Sequence, residues 1–373
     1  MSGAEIIHIA PSFGRTCGVG DYTGCLAEAQ AAAGAKVAVW SAVESPVPRG
    51  NTLTLGSIPD RWDAAAVRSL AEKLRDAAPR LVHLQYEAGL YHHRAAMPVF
   101  LPLYLHRYRI PLVTTFHSLD GPRRWGKVAR LALIPLLLGS RSVVVCSRRQ
   151  REALWQLPVL RRRVVQIPVG STIPVVHHRP AKPDAGLHLV YFGFLWRGRY
   201  IETVIRTLAA VRTRVPDATL TLIGEPADPE YFAELLCLAA EQNVSDSVRF
   251  YKDLPALKVS KVLAHSDLAL LPYPTGVSTG RTTLMAALAH GCPVVTMSSP
   301  ANLESGFWHG ANMLLTPAGD EPAFIGAATL LATDPALRNR LSHGATALTT
   351  EFTWERIAAQ TLALPGYREV MSR

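Results

Sequence analysis

The sequence DLALLPYPTGVSTGRTTLMAALAHGCPVVT, residues 267–296, decides the fold. Its apolar run Leu268–Leu271 is short enough to be a buried strand, and a break rich in Pro, Gly, Ser and Thr follows it. A helical segment at about residues 279–290 comes next and is stopped by Gly291, and a second buried strand occupies residues 293–296. This order predicts a strand, helix and strand of a parallel sheet.

The turn before the predicted helix has the composition of an anion site. In a parallel sheet, such a helix directs unpaired backbone N–H groups and the positive end of its dipole into the crevice at the carboxyl ends of the strands. The turn adds hydroxyl groups, a glycine and a fixed charge, carried by Ser278, Thr279, Gly280, Arg281 and Thr282. We therefore expect a diphosphate to bind there. The alternative is that the Ser and Thr side chains only cap the helix.

The end of this stretch, ALAHGCPVVT at residues 287–296, resembles the donor-site signature of the retaining, GT-B-fold glycosyltransferases of family 4. In that family two glutamates, separated by seven residues, precede the segment; the first contacts the transferred sugar and the second the ribose. Their positions fall on Ser278 and Ala286 in this sequence, so these two contacts do not carry over. Arg281 and its hydroxyl neighbours are a hypothetical replacement.

The resemblance covers nearly the whole chain and implies two Rossmann-like α/β domains that face each other across a cleft. A chain of 373 residues is long enough for two ordinary domains, and strands and helices alternate through both halves. We predict an acceptor-binding domain at residues 1–170, a proline-rich linker at 171–186, a nucleotide-sugar-binding domain at 187–350, and a closing helix at 351–373 that returns to the first domain.

Three predicted strands of the first domain end in candidate site residues. Gly18 and Gly20 lie in PSFGRTCGVGDY after the first strand, where the family has a glycine-rich loop that faces the donor. A later strand ends in three residues that we expect to bind the acceptor: Gln85, Tyr86 and Glu87. The next strand ends at His117 in TFHS, which resembles the family's histidine motif and implies a catalytic residue beside the transferred sugar.

The second domain opens with a strand, a glycine and two cations. Gly193 ends the strand, and Arg197 and Arg199 follow it before a helix. Relatives have a Lys-Gly pair near this point whose cation holds the diphosphate, so the resemblance implies that role for Arg199. The family's other cation falls on Phe194, so Arg197 or Arg281 would have to substitute for it. Gly224 and Glu225 end the next strand, where relatives approach the nucleotide base.

Composition favours a soluble globular protein: 49% of the residues are hydrophobic and 18% charged. No run of 18 or more apolar residues occurs, and the N-terminus lacks a basic and a long apolar region, so we expect a cytoplasmic protein. The five cysteines are scattered without CxxC or paired Cys/His spacing, which predicts neither a disulfide nor a structural zinc. No Asp-x-Asp motif occurs, and we expect no metal and no cofactor.

The net charge of +10 is concentrated in one segment. Residues 123–163 contain eleven Arg and Lys and a single acid, Glu152. Such a face would attract anionic lipid headgroups at the inner face of a membrane, or phosphorylated acceptors. The alternative is the solvated side of an ordinary amphipathic helix. We do not expect a nucleic-acid partner, because no recognised reading motif accompanies the charge.

Together these features predict transfer of a glycosyl group from a UDP- or GDP-sugar to a hydroxyl group of a small molecule, glycan or lipid-linked acceptor, with retention of anomeric configuration. Two alternatives share the donor pocket. One is a GT-B-fold sugar-nucleotide epimerase, and the other is a catalytically silent sugar-nucleotide-binding partner that has lost both glutamates. A glycogen-phosphorylase-like enzyme would need a pyridoxal lysine, for which the second domain has no convincing candidate.

Overall fold

The structure is a computed structural model that describes residues 5–14, 17–43, 54–119, 123–175, 186–226, 228–300 and 304–371. The chain divides into two compact units. Unit 1 contains Met1–Gly170 together with Thr353–Arg373, and unit 2 contains Ser171–Phe352. Most of the predicted linker, residues 176–185, lies outside the described residues.

Unit 1 is built on a seven-stranded, all-parallel sheet in the order β3-β2-β1-β4-β5-β6-β7. The strands are β1 (Ile6–Ile9), β2 (Val37–Ser41), β3 (Thr54–Ser57), β4 (Leu81–Tyr86), β5 (Leu112–Phe116), β6 (Ser142–Val145) and β7 (Val164–Gln166). The central strands are buried along their whole length because helices cover both faces of a parallel sheet, which is why they read as continuous apolar runs.

Helices connect the strands of unit 1, and two more come from the C-terminal segment. They are α1 (Gly18–Ala32), α2 (Ala64–Ala77), α3 (Ala96–Arg107), α4 (Ile134–Gly139), α5 (Arg148–Trp155), α12 (Trp354–Leu362) and α13 (Pro365–Met371), with 3₁₀ helices at Ala88–Tyr91, Arg123–Leu133 and Pro158–Leu160. The sequence pattern predicts one helix at residues 126–139, whereas the structure has the 3₁₀ helix Arg123–Leu133 followed by α4. The 3₁₀ helix is kinked at Gly126, which has φ 51° and ψ −128°, a conformation outside the helical region.

Unit 2 has a six-stranded parallel sheet in the order β10-β9-β8-β11-β12-β13. Its strands are β8 (His188–Phe192), β9 (Thr219–Ile223), β10 (Val248–Tyr251), β11 (Leu268–Leu271), β12 (Val294–Ser298) and β13 (Leu314–Pro317). The sequence did not predict β13, an edge strand of four residues that ends in proline, since proline is depleted in strands.

The helices of unit 2 are α6 (Ile201–Arg212), α7 (Pro229–Glu241), α8 (Ala256–His265), α9 (Thr282–Ala289), α10 (Glu321–Thr333) and α11 (Pro335–Thr349), with 3₁₀ helices at Ser245–Ser247 and Thr350–Phe352. The predicted unit of strand, helix and strand is therefore present as β11, α9 and β12. All five cysteines are free. Within the described residues, we find no helix that is both long and apolar enough to span a bilayer.

Candidate donor and catalytic sites

A cationic pocket of 160 Å³ lies at the carboxyl edge of the unit 2 sheet, between the ends of β8 and β11 and the start of α9. The chain continues from β8 to one side of the sheet and from β11 to the other, so the crevice is a topological switch point, where open α/β sheets bind ligands. The pocket is lined by Tyr191, Phe192, Gly193, Phe194, Arg199, Pro272, Tyr273, Gly280, Arg281, Thr282 and Thr283.

Arg281 is held inside this pocket by its neighbours. Its guanidinium lies over the ring of Tyr273, 4.9 Å from the centroid, and Nη2 donates to Thr275 Oγ1 at 3.0 Å. The buried Nε–H has no acceptor among the described residues. Burial lowers the pKa of the Arg281 guanidinium, and the positive charge of Arg199 lowers it further. Arginine nevertheless keeps its charge in proteins, so Arg281 brings a positive charge to the pocket that it lines.

Arg199 is the second cation of the pocket. It lies beside the ring of Trp196, 5.8 Å from the centroid, and lines the cavity together with Arg281. In the part of the chain that the structure describes, neither guanidinium forms an ion pair with a carboxylate. Two cations that share a small, partly buried space repel each other, and an anion with several oxygens relieves that repulsion. The pocket is therefore suited to a diphosphate.

Gly193 and Gly224 shape the pocket by close backbone packing. Their φ angles are 151° and 156°, and a Cβ atom on Gly224 would lie 1.8 Å from the carbonyl oxygen of Gly193. Gly193 lines the cavity, whereas Gly224 supports it from the neighbouring strand end. Glu225 is exposed outside the cavity lining, and its backbone oxygen accepts from Leu195 N at 3.0 Å.

Arg197 does not belong to this pocket, contrary to the prediction that it stabilises the diphosphate. Its guanidinium forms a two-pronged ion pair with Glu234, in which Nη2 donates to Oε1 at 2.7 Å, and it lies 4.9 Å from the ring centroid of Tyr231. A carboxylate partner already satisfies this cation. The second cation of the pocket, besides Arg199, is Arg281, which lies between β11 and α9.

The start of α9 also differs from the prediction. The helix begins at Thr282, because residues before it form a turn in which Arg281 N donates to Ser278 O at 3.3 Å. Ser278 and Thr279 lie outside the pocket lining, and Thr279 N donates to the buried Glu304 at 3.5 Å. Gly280, Arg281 and Thr282 do line it. Ala286 is fully buried in the core of unit 2.

His117 lies at the carboxyl end of β5 in unit 1. Its Nε2 is 3.0 Å from Gln85 Oε1, and its ring meets Tyr22 edge-on with 4.9 Å between the centroids. Burial lowers the pKa of His117 to about 4. The imidazole is therefore neutral at pH 7, and it is partly accessible at the end of the strand.

A buried polar network, which the sequence did not predict, lies behind His117. Gln85 Nε2 is 3.3 Å from His8 Nδ1, and His8 Nε2 is 2.7 Å from Gln30 Oε1. Next to His8, His83 contacts Thr115 Oγ1 at 2.8 Å and Tyr367 Oη at 2.5 Å. Burial lowers the pKa of His8 to about 4 and that of His83 well below its ordinary value. The available signal was a histidine in the middle of two apolar strands, IIHI and LVHLQY.

The three consecutive residues predicted to bind the acceptor differ in their exposure to solvent. Gln85 and Tyr86 are fully buried, and Tyr86 packs between Tyr91 and Phe116, so neither side chain can reach an acceptor at the surface. Residues that end a strand alternate between its two faces, and here both faces are covered. Glu87 is partly exposed and caps the following 3₁₀ helix, where it accepts from Leu90 N at 3.2 Å.

Gly18 and Gly20, which we expected in a glycine-rich loop, lie instead in the first turn of α1. Gly20 is buried there, and a Cβ atom on it would lie 2.6 Å from Ser12 O. Gly20 therefore allows α1 to pack on the preceding turn of its own chain. Gly18 is exposed at the end of the helix. No group of three His, Cys, Asp or Glu side chains that could hold a metal ion occurs among the described residues.

Two Rossmann-like units, each built on a parallel sheet, and a cationic pocket at a topological switch point are features of the GT-B class of glycosyltransferases. Family comparison agrees: residues 16–171 match the model described as Glycosyltransferase Family 4, and residues 186–334 match Glycosyl transferases group 1. The chain therefore carries a glycosyltransferase family 4 domain followed by a group 1 domain, and it is a glycosyltransferase of the GT-B fold.

Similar proteins agree with this assignment. The chain is 25% identical to a D-inositol 3-phosphate glycosyltransferase of Pseudarthrobacter chlorophenolicus, over 94% of this chain and 90% of that protein. Among solved structures, it is similar to sucrose-phosphate synthase from Thermosynechococcus elongatus (20% identity, TM-score 0.75, covering 98% of this chain and 99% of that one). It is also similar to HepE of Anabaena in complex with UDP and glucose (16% identity, TM-score 0.76, covering 99% and 100%).

Proposed function

We propose that this glycosyltransferase moves a sugar from a UDP- or GDP-sugar to a hydroxyl acceptor with retention of anomeric configuration. The observation that carries the proposal is the pair Arg199 and Arg281, which share one pocket without a carboxylate partner among the described residues. The leaving group of such a donor is a nucleoside diphosphate, which gains negative charge as the glycosidic bond breaks. Cations already in position stabilise that charge without reorganisation.

The same pair supports a reaction that needs no metal. Guanidinium groups bind phosphate oxygens in two-pronged fashion and supply the positive charge that a divalent cation supplies in other transferases. The backbone N–H groups at the start of α9 add hydrogen bonds to the diphosphate. In the retaining route, the departing phosphate accepts the proton of the acceptor hydroxyl on the same face of the sugar.

His117 is the proposed catalytic residue of unit 1. A neutral imidazole can accept or donate one hydrogen bond at each nitrogen, and Gln85 already occupies Nε2. Nδ1 is then the atom available to a substrate hydroxyl group. Replacement of His117 by alanine should lower kcat far more than the affinity for the nucleoside diphosphate.

The nucleotide is tested first by calorimetry and thermal shift with UDP, GDP, ADP and dTDP, since a ligand that binds the folded state raises its melting temperature. Solved relatives in complex with UDP support UDP as the expected preference. Turnover with the matching sugar donors then distinguishes glycosyl transfer from the two alternative functions, silent binding and epimerisation. A silent binding partner would bind the nucleotide sugar but leave its glycosidic bond intact. An epimerase would change the configuration of the donor sugar without an acceptor.

We also propose that unit 1 contacts an anionic membrane surface. Four large apolar side chains in residues 128–138 are about half exposed: Val128 (52%), Leu131 (55%), Ile134 (42%) and Leu138 (44%). They lie beside α3, which packs on α4 and exposes Leu103 (58%). Contiguous apolar side chains within a basic segment are typical of an interfacial surface, in which apolar groups enter the headgroup layer and cations bind anionic lipids.

Vesicle sedimentation tests this surface. The parent should bind vesicles that contain phosphatidylglycerol more strongly than neutral vesicles, and exchange of Leu131 and Ile134 for glutamine should weaken that binding. Leu257→Gln is the control, since Leu257 is even more exposed (63%) but lies on α8 of unit 2. Equal binding by the control and the double variant would contradict the proposal.

A further inference from the structure

Two exposed aromatic side chains lie in contact at the edge of the cationic pocket of unit 2. Phe194 lines the pocket and is 42% exposed, and Trp196, two residues further on, is 43% exposed. Their rings stack with 5.2 Å between the centroids and 25° between the planes. Stacked rings that remain in water leave apolar area that a ligand can cover. The pair therefore extends the charged pocket with an aromatic surface.

The backbone places both rings on the same side of the chain. Leu195 N donates to Glu225 O at 3.0 Å, which holds this segment beside the end of β9. Leu195 is 1% exposed, whereas both of its neighbours are exposed, as expected in an extended segment whose side chains alternate between two sides. Leu195 therefore anchors the segment in unit 2, and Phe194 and Trp196 share the outer side. Because Phe194 lines the pocket, Trp196 continues the same wall.

A turn brings Arg199 back to the aromatic pair. Arg199 N donates to Trp196 O at 3.1 Å, and Gly198 within the turn has φ 76°, a conformation that glycine adopts readily. The Arg199 guanidinium lies 5.8 Å from the ring centroid of Trp196, and Arg199 also lines the pocket. One loop thus presents a cation suited to a phosphate next to a surface suited to a flat ring.

We propose that Phe194 and Trp196 form a stacking platform for the nucleobase of the donor. The proposal rests on the proposed function, in which Arg199 and Arg281 bind the diphosphate. In a nucleoside diphosphate a ribose joins the phosphates to a planar base, so a ligand held by Arg199 carries a flat ring to the adjacent surface. Bases stack on aromatic side chains through their π faces, and every base has such a face. The platform therefore favours a nucleotide over a diphosphate that lacks a base.

Phe194 also marks a departure of this chain from its family. The resemblance places a cation at this position, whereas here an aromatic residue lines the pocket. A phenyl ring offers no charge to a phosphate, but it offers an apolar face to a base. Arg281 supplies the second charge of the pocket from the turn before α9, so position 194 is released to serve the base.

Calorimetry with UDP and inorganic pyrophosphate tests the platform. Phe194→Ala and Trp196→Ala should each weaken UDP binding about tenfold, the effect expected for losing one stack between a base and an aromatic ring. Both should leave the affinity for pyrophosphate unchanged, because pyrophosphate has no base. Trp196→Phe keeps an aromatic face and should retain most of the UDP affinity. Trp308→Ala is the control, since Trp308 is an exposed tryptophan of unit 2 that does not line the pocket.

Three results would overturn the platform. Equal weakening of UDP and pyrophosphate binding by Trp196→Ala would mean that Trp196 acts only by holding Arg199. Weaker binding of UDP-glucose by the alanine variants, without a change for UDP, would place the donor sugar and not the base on the rings. Unchanged UDP binding in both alanine variants would remove the rings from the site and leave the two arginines in it.

Failure of the proposed function gives a different result. If the donor site itself is wrong, the parent binds neither UDP nor pyrophosphate, and the platform is refuted with it. If only the platform is wrong, the parent binds UDP and Arg199→Ala weakens that binding, whereas the two ring variants do not. None of these measurements requires turnover, so their outcome does not depend on glycosyl transfer.

Discussion

His117 Nε2 lies 3.0 Å from Gln85 Oε1, and this hydrogen bond begins a chain with one consistent direction. If His117 Nε2–H donates to Gln85, the Gln85 amide donates to His8 Nδ1, and His8 Nε2–H donates to Gln30 Oε1. Each imidazole then carries one proton and is neutral. The chain fixes both tautomers, and it holds His117 in place from inside the sheet.

Gln85→Met tests this positioning role, because methionine keeps the volume and removes both hydrogen bonds. We expect the free energy of unfolding to fall by about 1–3 kcal/mol, since His117 and His8 lose a buried partner. We also expect kcat to fall while the donor KM stays unchanged. Thr114→Val is the control: it breaks a buried bond of 2.8 Å to Ser140 in the same sheet, away from His117. An equal loss of kcat in both variants would point to general destabilisation.

Arg281→Ala and Arg199→Ala should each weaken the binding of the free nucleoside diphosphate by about tenfold or more, because each removes a charge-assisted contact of about 1.5–3 kcal/mol. Arg197→Ala should leave the affinity near that of the parent, since Arg197 is paired with Glu234 outside the pocket. Calorimetry measures all three. The assignment of the pocket is wrong if Arg197→Ala has the largest effect.

The buried histidines make stability depend on pH. The pKa of His8 is about 4 in the folded protein and about 6.5 when unfolded, so the unfolded chain binds more protons between these values. Stability from His8 is fully present above pH 6.5 and is lost as the pH falls toward 4. At pH 5 the loss from His8 alone is about 2 kcal/mol relative to pH 7.5.

Urea unfolding at several pH values measures this dependence. His8→Gln should flatten the decline below pH 6.5, although the variant is less stable at neutral pH. His106→Gln, at an exposed position of α3, should leave the decline unchanged. If His8→Gln and the parent lose stability in parallel, another group causes the dependence.

Gly224→Ala should destabilise unit 2 by more than about 2 kcal/mol, because its Cβ would lie 1.8 Å from Gly193 O and its φ of 156° is unfavourable for alanine. The matched change is Gly326→Ala in α10, where a Cβ meets nothing within 4 Å. That change should instead stabilise by about 0.5–1 kcal/mol, since glycine weakens a helix interior. Denaturant unfolding of both variants compares the two effects.

Sequence patterns predicted the alternating strands and helices because buried parallel strands are locally apolar and helix ends carry local signals. The edge strand β13 was missed because LLTP is short and contains proline. The turn composition pointed to Arg281, which lines the pocket, whereas Arg197 was proposed as a substitute for the family's second cation and does not line it. Its ion pair with Glu234, 37 residues away, is a tertiary contact that local sequence does not encode.

The unit 1 site shows the same limit. His117 was found because it ends a strand, but Gln85 looked equally accessible in sequence and is fully buried. Gln85 is held by His8 of β1, which in turn contacts Gln30 of α1. Tyr367 of the C-terminal segment contacts the neighbouring His83. Such a network depends on strand order, which places β1 beside β4.

The division of unit 1 between the two ends of the chain has a consequence for biosynthesis. Trp354 packs against Tyr22 with 5.3 Å between ring centroids, and Tyr367 reaches His83, so the segment Thr353–Arg373 completes a domain whose other residues are synthesised before the whole of unit 2. Unit 2 is continuous and can fold during translation. Until residues 353–373 have been synthesised, the nascent unit 1 lacks the Tyr367 partner of His83, and we expect unit 1 to be the part of the nascent protein that binds chaperones and is open to proteases.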